Sequence, residues 1–267
     1  MKSPIWPRSA ALPGAAAGHA VVALATLLAA QAILRSSPPE NPGPLLARQQ
    51  AFESARLRLD HARARTDTND LAVVHDFCRL AYELATIQPK DSERERITQL
   101  AIAAAKASLS NNPAAAPTHY YLALNLGELA RTKSLGALQI VPRIRDSLES
   151  ARVLDESLDH AGPDRTLGLL YLEAPGWPTS IGSRDKAKAH FLRALQIAPE
   201  YPGNHLGLAE ALLRWRDLDE ARARLRSLDA VWTNARARLS GPRWQSNWLE
   251  WTTRRDKLAQ RLSQTAR

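Results

Sequence analysis

A single cysteine, Cys78, stands in 267 residues. One cysteine forms no internal disulfide and builds no multi-cysteine zinc or iron–sulfur site. Strand formers are also scarce: seven Val, nine Ile, three Phe and five Tyr stand against abundant Ala, Leu and Arg. That balance argues against a β-sandwich or barrel and for helices. There is no Gly-rich phosphate loop, no HExxH pair, no Gly-x-Ser-x-Gly elbow and no paired cysteine. No enzyme is therefore expected, and no catalytic residue, cofactor or metal site is assigned. His75-Asp76-x-Cys78 does put two ligand types three apart on a helix, but a structural metal site normally takes four. Packing is the better reading, with Cys78 a small buried hydrophobe.

Charge is plentiful and one-sided. Net charge is +9 with a pI of about 10.1. From Arg214 to Arg267 thirteen Lys/Arg face six Asp/Glu, so +7 of that excess lies in the last fifth of the chain. Such a balance raises nucleic acid or an anionic membrane as partners. No basic run is interleaved with aromatics in a base-reading pattern, so nucleic acid is not expected. Solvated arginine-rich helix faces account for the excess.

Residues 1–34 differ from the rest. Lys2 and Arg8 form a short positive start, and residues 15–34 carry almost no charge, being most apolar at 20–30 (AVVALATLLAA). Ala30-Gln31-Ala32 offers the small residues of a signal-peptidase site. The stretch is also about long enough to span a bilayer. A cleaved signal peptide and a signal anchor over residues 10–34 both fit, and both place the remainder in the periplasm. No cysteine stands at 20–35 for lipid attachment. Residues 35–44 read as a Pro-rich linker.

The remainder repeats itself. A first helical signature, Leu, then Ala or Gly, then Leu or Tyr three further on, occurs at Leu80-Ala81…Leu84, Leu122-Ala123…Leu126, Leu167-Gly168…Tyr171 and Leu208-Ala209…Leu212. A second alternates with it: Leu100/Ala104/Ala107, Ile144/Leu148/Ala151, Ala187/Phe191/Ala194 and Ala221/Leu225/Leu228. Spacings of four and three put each set on one helix face, with small residues where a neighbouring helix approaches. This pattern resembles the tetratricopeptide repeat. The last step between second signatures, Ala187 to Ala221, is 34 residues, the repeat's usual length of about 34. Earlier steps exceed forty, so three hairpins are longer than standard.

Punctuation agrees. Asp91-Ser92-x-x-Glu95 and Asp217-x-x-Glu220 offer capping boxes. Asn111-Asn112-Pro113, Gly162-Pro163-Asp164, Ala198-Pro199 and Tyr201-Pro202-Gly203 offer breaks. Pro142 conflicts with the second helix of hairpin two, kinking it or starting it. Residues 45–65 read as an extra amphipathic helix. Residues 244–263 read as another, carrying Trp244, Trp248 and Trp251 on one side as an end cap.

Within residues 113–215 three phrases carry a narrower likeness: His119-Tyr120-Tyr121-Leu122-Ala123-Leu124-Asn125-Leu126-Gly127, Gly162-Pro163-Asp164-Arg165-x-Leu167-Gly168-x-x-Tyr171, and Ala174-Pro175-Gly176-Trp177-Pro178. They are similar to exported bacterial proteins related to the T component associated with TRAP transporters. The resemblance implies a periplasmic helical-repeat protein working beside a binding protein for a hydrophobic ligand. It supplies no catalytic residues, and this chain departs from it in lacking a lipidation cysteine.

The expected fold is an all-α, right-handed solenoid of four hairpins. The repeat domain covers 45–230 and a basic capping helix covers 231–267. The expected function is non-enzymatic binding of a protein or peptide in the cell envelope through the concave face. The alternatives are a hydrophobic-ligand carrier and a membrane-anchored scaffold whose basic end docks on anionic surfaces. Trp177, Tyr171, His119, Tyr120, Tyr121 and His205 are the candidate contact residues. Ten residues rich in Pro and Gly around Trp177 overfill the turn of hairpin three, where the indole either meets a partner or tucks onto Tyr171. Repeat position alone accounts for His119 and His205.

Overall fold

The computed structural model describes residues 43–64, 70–133 and 136–265. The signal peptide or anchor expected at 1–34, and the linker up to Asn41-Pro42, lie outside the described residues. Among the described residues no helix is long and apolar enough to cross a membrane.

The chain is an all-α tetratricopeptide-like solenoid. Helix α1 (Gly43–Ala64) precedes four hairpins: α2 (Leu71–Ile87) with α3 (Asp91–Asn111), α4 (Ala116–Arg131) with α5 (Ala137–Leu154), α6 (Leu158–Glu173) with α7 (Arg184–Ile197), and α8 (Pro202–Arg214) with α9 (Leu218–Arg238). A 3₁₀ turn (Pro242–Trp244) leads into α10 (Gln245–Gln264). Each helix packs on its hairpin mate and on the following hairpin. The first helices also meet one another, α2 on α4, α4 on α6 and α6 on α8, and α10 extends that row by packing on α8.

Local chemistry sets the ends. The Asp70 carboxylate accepts from the backbone N–H of Ala72 and Val73, and the Ser183 hydroxyl from that of Lys186, satisfying amides that lack a helical partner. Neither expected capping box forms. Helix α3 starts two residues early, at Asp91, and its Glu95 instead accepts from Gln99 and meets Lys133. Asp217 stands at the α9 cap position without a side-chain cap bond. Pro142 starts nothing, because α5 begins five residues before it and runs on past it.

The packing seam follows both signatures. Ala81, Ala123, Gly168 and Ala209 lie one per first helix, and Phe191 of α7 shows their purpose. A Cβ on Gly168 would sit 2.7 Å from the Phe191 ring, and one on Gly207 3.0 Å from it. The phenyl thus lies between the first helices of its own hairpin and the next, with no exposed surface. In hairpin one the register differs from the expected set. Leu100 is 39% exposed, whereas Ile97, Ala101 and Ala104 are buried at 1%, 0% and 2%. The same four-and-three spacing therefore starts three residues earlier, because this Ala-rich helix offers two similar faces and Ile97 supplies the larger buried side chain.

Helix α9 continues to Arg238, so residues 231–238 belong to the last hairpin and the terminal helix proper starts at Gln245. Its Trp248 and Trp251 meet edge to face at 4.9 Å, and Tyr201 stands edge-on to Trp251 at 5.1 Å. With Leu206, Leu228, Ala235 and Trp244 they form a second core beside the main one. At the other end Phe52 of α1 stacks on Phe77 of α2 at 5.4 Å.

Candidate functional site

The first helices line a groove of about 580 Å³. Repeat position decides which residues reach it. Two residues before the small signature residue stand Arg79, Tyr121 and Thr166 in hairpins one to three, and one residue after it stand Tyr82 and Leu124 in hairpins one and two; all five line the groove. One end is bounded by Arg48 of α1, the other by Arg243, Trp244, Asn247, Trp251 and Arg254 at and beyond the 3₁₀ turn.

The floor rests on an unusual backbone. Asp159, His160 and Ala161, none of them glycine, have φ of 49°, 56° and 62°, a left-handed run just before the right-handed part of α6. Left-handed geometry costs an L-residue about 1–2 kcal/mol because Cβ crowds the carbonyl oxygen. Several bonds hold it. Tyr120 donates its hydroxyl to the Asp159 carboxylate at 2.9 Å. Arg165 donates to the same carboxylate at 2.9 Å, to the His160 carbonyl at 3.0 Å and to Asn204 at 3.0 Å. Asn204 donates back to the His160 carbonyl at 3.1 Å, and the His160 ring stacks on Tyr201 at 4.5 Å. A Cβ at Gly162 would sit 2.6 Å from the Tyr120 hydroxyl, so glycine there admits the phenol.

Electrostatics make this a polar but largely compensated surface. Arg79 is paired with Asp76 and Glu83, each at 2.6 Å. Arg254 is paired with Glu210 at 2.7 Å and Glu250 at 3.0 Å. Burial opposes the charge of Arg165 and Arg254, yet Tyr201 and Asp159 beside the first and Glu210 and Glu250 beside the second outweigh it and raise both pKa values. Burial pushes the Tyr120 and Tyr121 phenols up, so both stay protonated hydrogen-bond donors. It pushes His160 below its ordinary value, which keeps that ring neutral near pH 7.

Of the six residues singled out in the sequence, Tyr120 and Tyr121 lie in the groove. His119 and His205 do not line it, and they make the same bond: each donates Nε2–H to the carbonyl of the proline six residues earlier, Pro113 at 2.8 Å and Pro199 at 2.6 Å. They close equivalent turns before α4 and α8. Tyr171 is buried on the α6–α7 side, stacked at 5.5 Å on His190, which bonds Asp164 at 2.7 Å. Trp177 is not tucked onto Tyr171; it is 89% exposed on the loop 174–183. That loop is tied by Gly182 N–H to the Pro175 carbonyl at 2.8 Å and Ser183 N–H to the Tyr171 carbonyl at 2.9 Å. His75 lies against Tyr121 at 5.1 Å and the Cys78 thiol points at the Ala101 carbonyl. Among the described residues no three His, Cys, Asp or Glu are grouped to hold a metal.

Arg79, Tyr82, Arg165 and Asn204 were not singled out in the sequence. Counting from the signature's small residue finds the first two. No local signal marks the others, which depend on the left-handed run.

This row of antiparallel helical pairs, with its inner face open as a groove, defines a helical-repeat protein. Residues 182–238, covering α7 to α9, match the family model of the tetratricopeptide repeat. Tetratricopeptide repeats serve protein–protein interaction. No curated protein matches the chain.

Proposed function

We propose that the chain is a non-enzymatic cell-envelope protein that binds a short, extended segment of a partner protein in the groove of its first helices. The carrying observation is the groove itself: a cavity of about 580 Å³ over a hydrogen-bonded polar floor. Ligand pockets of small molecules span about 300–1,000 Å³, so this volume suits a few residues of extended chain rather than a docked helix, whose diameter alone is about 10–12 Å. The phenols of Tyr82 and Tyr121, with Arg79 and Arg243, offer hydrogen bonds and aromatic surface to a peptide. A hydrophobic ligand, the cargo implied by the resemblance to TRAP-associated proteins, calls for a mostly apolar lining. The arginines and carboxylates here favour the peptide.

A photo-crosslinking residue at Tyr82, compared with one at Val153 on the exposed side of α5, tests this in the native host. A discrete protein adduct from position 82 alone supports the groove; equal adducts from both positions, or none from 82, count against it. The envelope location rests on residues 1–34. Cell fractionation with N-terminal sequencing tests it: a mature start near Ile33, or an intact Met1 in the membrane fraction, agrees with export, and an intact soluble cytosolic chain does not.

A further inference from the structure

The far end of the stack carries a second hollow that the groove does not use. It opens between the last turn of α9, the turn 240–242 and the outer side of α10, and measures about 690 Å³. Leu239, Pro242, Trp248 and Leu249 give it apolar walls; Arg236 stands at its edge, and among the described residues no carboxylate lines it. Leu249 is 69% exposed. The outer face of a terminal capping helix is expected to be polar, so this leucine is out of place unless something covers it. The wall behind it is fixed: Trp248 donates Nε1–H to the Leu239 carbonyl at 2.6 Å and meets Trp232 edge to face at 5.2 Å.

The cation at the edge of the hollow stands in a prepared position. The Arg236 guanidinium lies 5.3 Å from the Trp248 ring centre. It makes no ion pair with a described residue, although Arg238, Arg254 and Arg255 each hold a carboxylate. A guanidinium already stacked on an indole loses less freedom when it meets a carboxylate, and its fork suits bidentate pairing.

We infer that this hollow docks an acidic segment of a partner protein, one apolar side chain entering beside Leu249 while a carboxylate meets Arg236. Charge complementarity names the occupant: +7 of the chain's +9 lies between Arg214 and Arg267. Shape separates it from a lipid surface. A bilayer engages residues that protrude, whereas these apolar walls form a hollow beside which Arg236 stands. The site is separate from the groove and does not depend on it.

The test uses the full chain and fluorescent synthetic peptides: one alternating Glu and Leu, one with Ser for each Leu, one with Lys for each Glu. The Glu–Leu peptide is expected to raise the anisotropy signal, with affinity falling as salt increases. Leu249→Ser and Arg236→Gln, both at exposed positions, should each weaken it about tenfold with unchanged circular dichroism melts. Val153→Ser should change nothing. Equal binding of the Glu–Ser or the Lys–Leu peptide overturns the proposal, as does indifference to both variants. So does binding to phosphatidylglycerol vesicles that both variants abolish, or a concentration-dependent dimer, seen by light scattering, that Leu249→Ser dissolves.

Discussion

Hairpins three and four share one packing seam and treat their ends differently. In hairpin four, α8 starts directly on Pro202, and only Trp215 to Asp217 separate it from α9. Hairpin three enters through three left-handed residues and turns through ten residues, 174–183. The family match starts at residue 182, past the left-handed run and at the very end of the long turn. The seam itself is unaffected, since Phe191 rests on Gly168 of one hairpin and Gly207 of the other. Repeat packing constrains the middle of each helix and leaves the ends free to vary. One of the two varied ends faces the groove, and the other presents Trp177 to solvent.

Removing the shared contact should have the largest effect. Phe191→Ala is expected to destabilise the chain by about 3–5 kcal/mol, read as a shift of the urea midpoint. A loss below about 1 kcal/mol would mean that the two hairpins do not share the seam.

Glycine substitutions should separate the two hairpins by sign. Ala161→Gly relieves left-handed strain of about 1–2 kcal/mol and loses a buried methyl worth about 0.8 kcal/mol, a net gain of up to about 1 kcal/mol. Ala209→Gly, in a regular helix of hairpin four, loses at least about 1 kcal/mol. Equal losses in the same urea titration would break the contrast.

A smaller effect concerns His205. Burial, against the Pro199 hydrogen bond, lowers its pKa below the ordinary 6.5. The unfolded chain therefore takes up a proton first as pH falls through 6.5, and stability declines from pH 7 towards pH 5. His205→Gln keeps a donor for Pro199 and does not titrate, so its melting temperature should gain on that of the native chain as pH falls. A gap that widens against the variant contradicts the burial argument.

Trp177→Ala should do least. The indole is 89% exposed, so stability should stay within about 0.5 kcal/mol by thermal melting. A clear loss would show that the loop braces hairpin three.

The seam was legible because its rule is short: small residues at one position and larger apolar ones at fixed offsets. It blurred only in α3, where Ala101, Ala103, Ala104, Ala105 and Ala107 offer several faces of similar size. Half of the groove was legible by the same rule, since Tyr121 and Arg79 occupy one repeat position. The floor was not. Asp159-His160-Ala161 contains no glycine to announce positive φ, and the strain is met by Tyr120, Arg165 and Asn204, which lie far apart in sequence. The second hollow escaped notice for a related reason. Trp244, Trp248 and Trp251 read as an apolar stripe, while the arginines stacked on them read as solvated charge.

Helix α10 packs on α8 and α9 and also gives the groove Trp251 and Arg254, the latter clamped to Glu210 of α8. End cap and groove wall are therefore one element. Any molecule that rests against that wall stabilises the folded form of the last helix by mass action. Amide hydrogen exchange in residues 245–264 thus becomes a gauge of occupancy, and a truncation that frays α10 lowers affinity without touching the ligand.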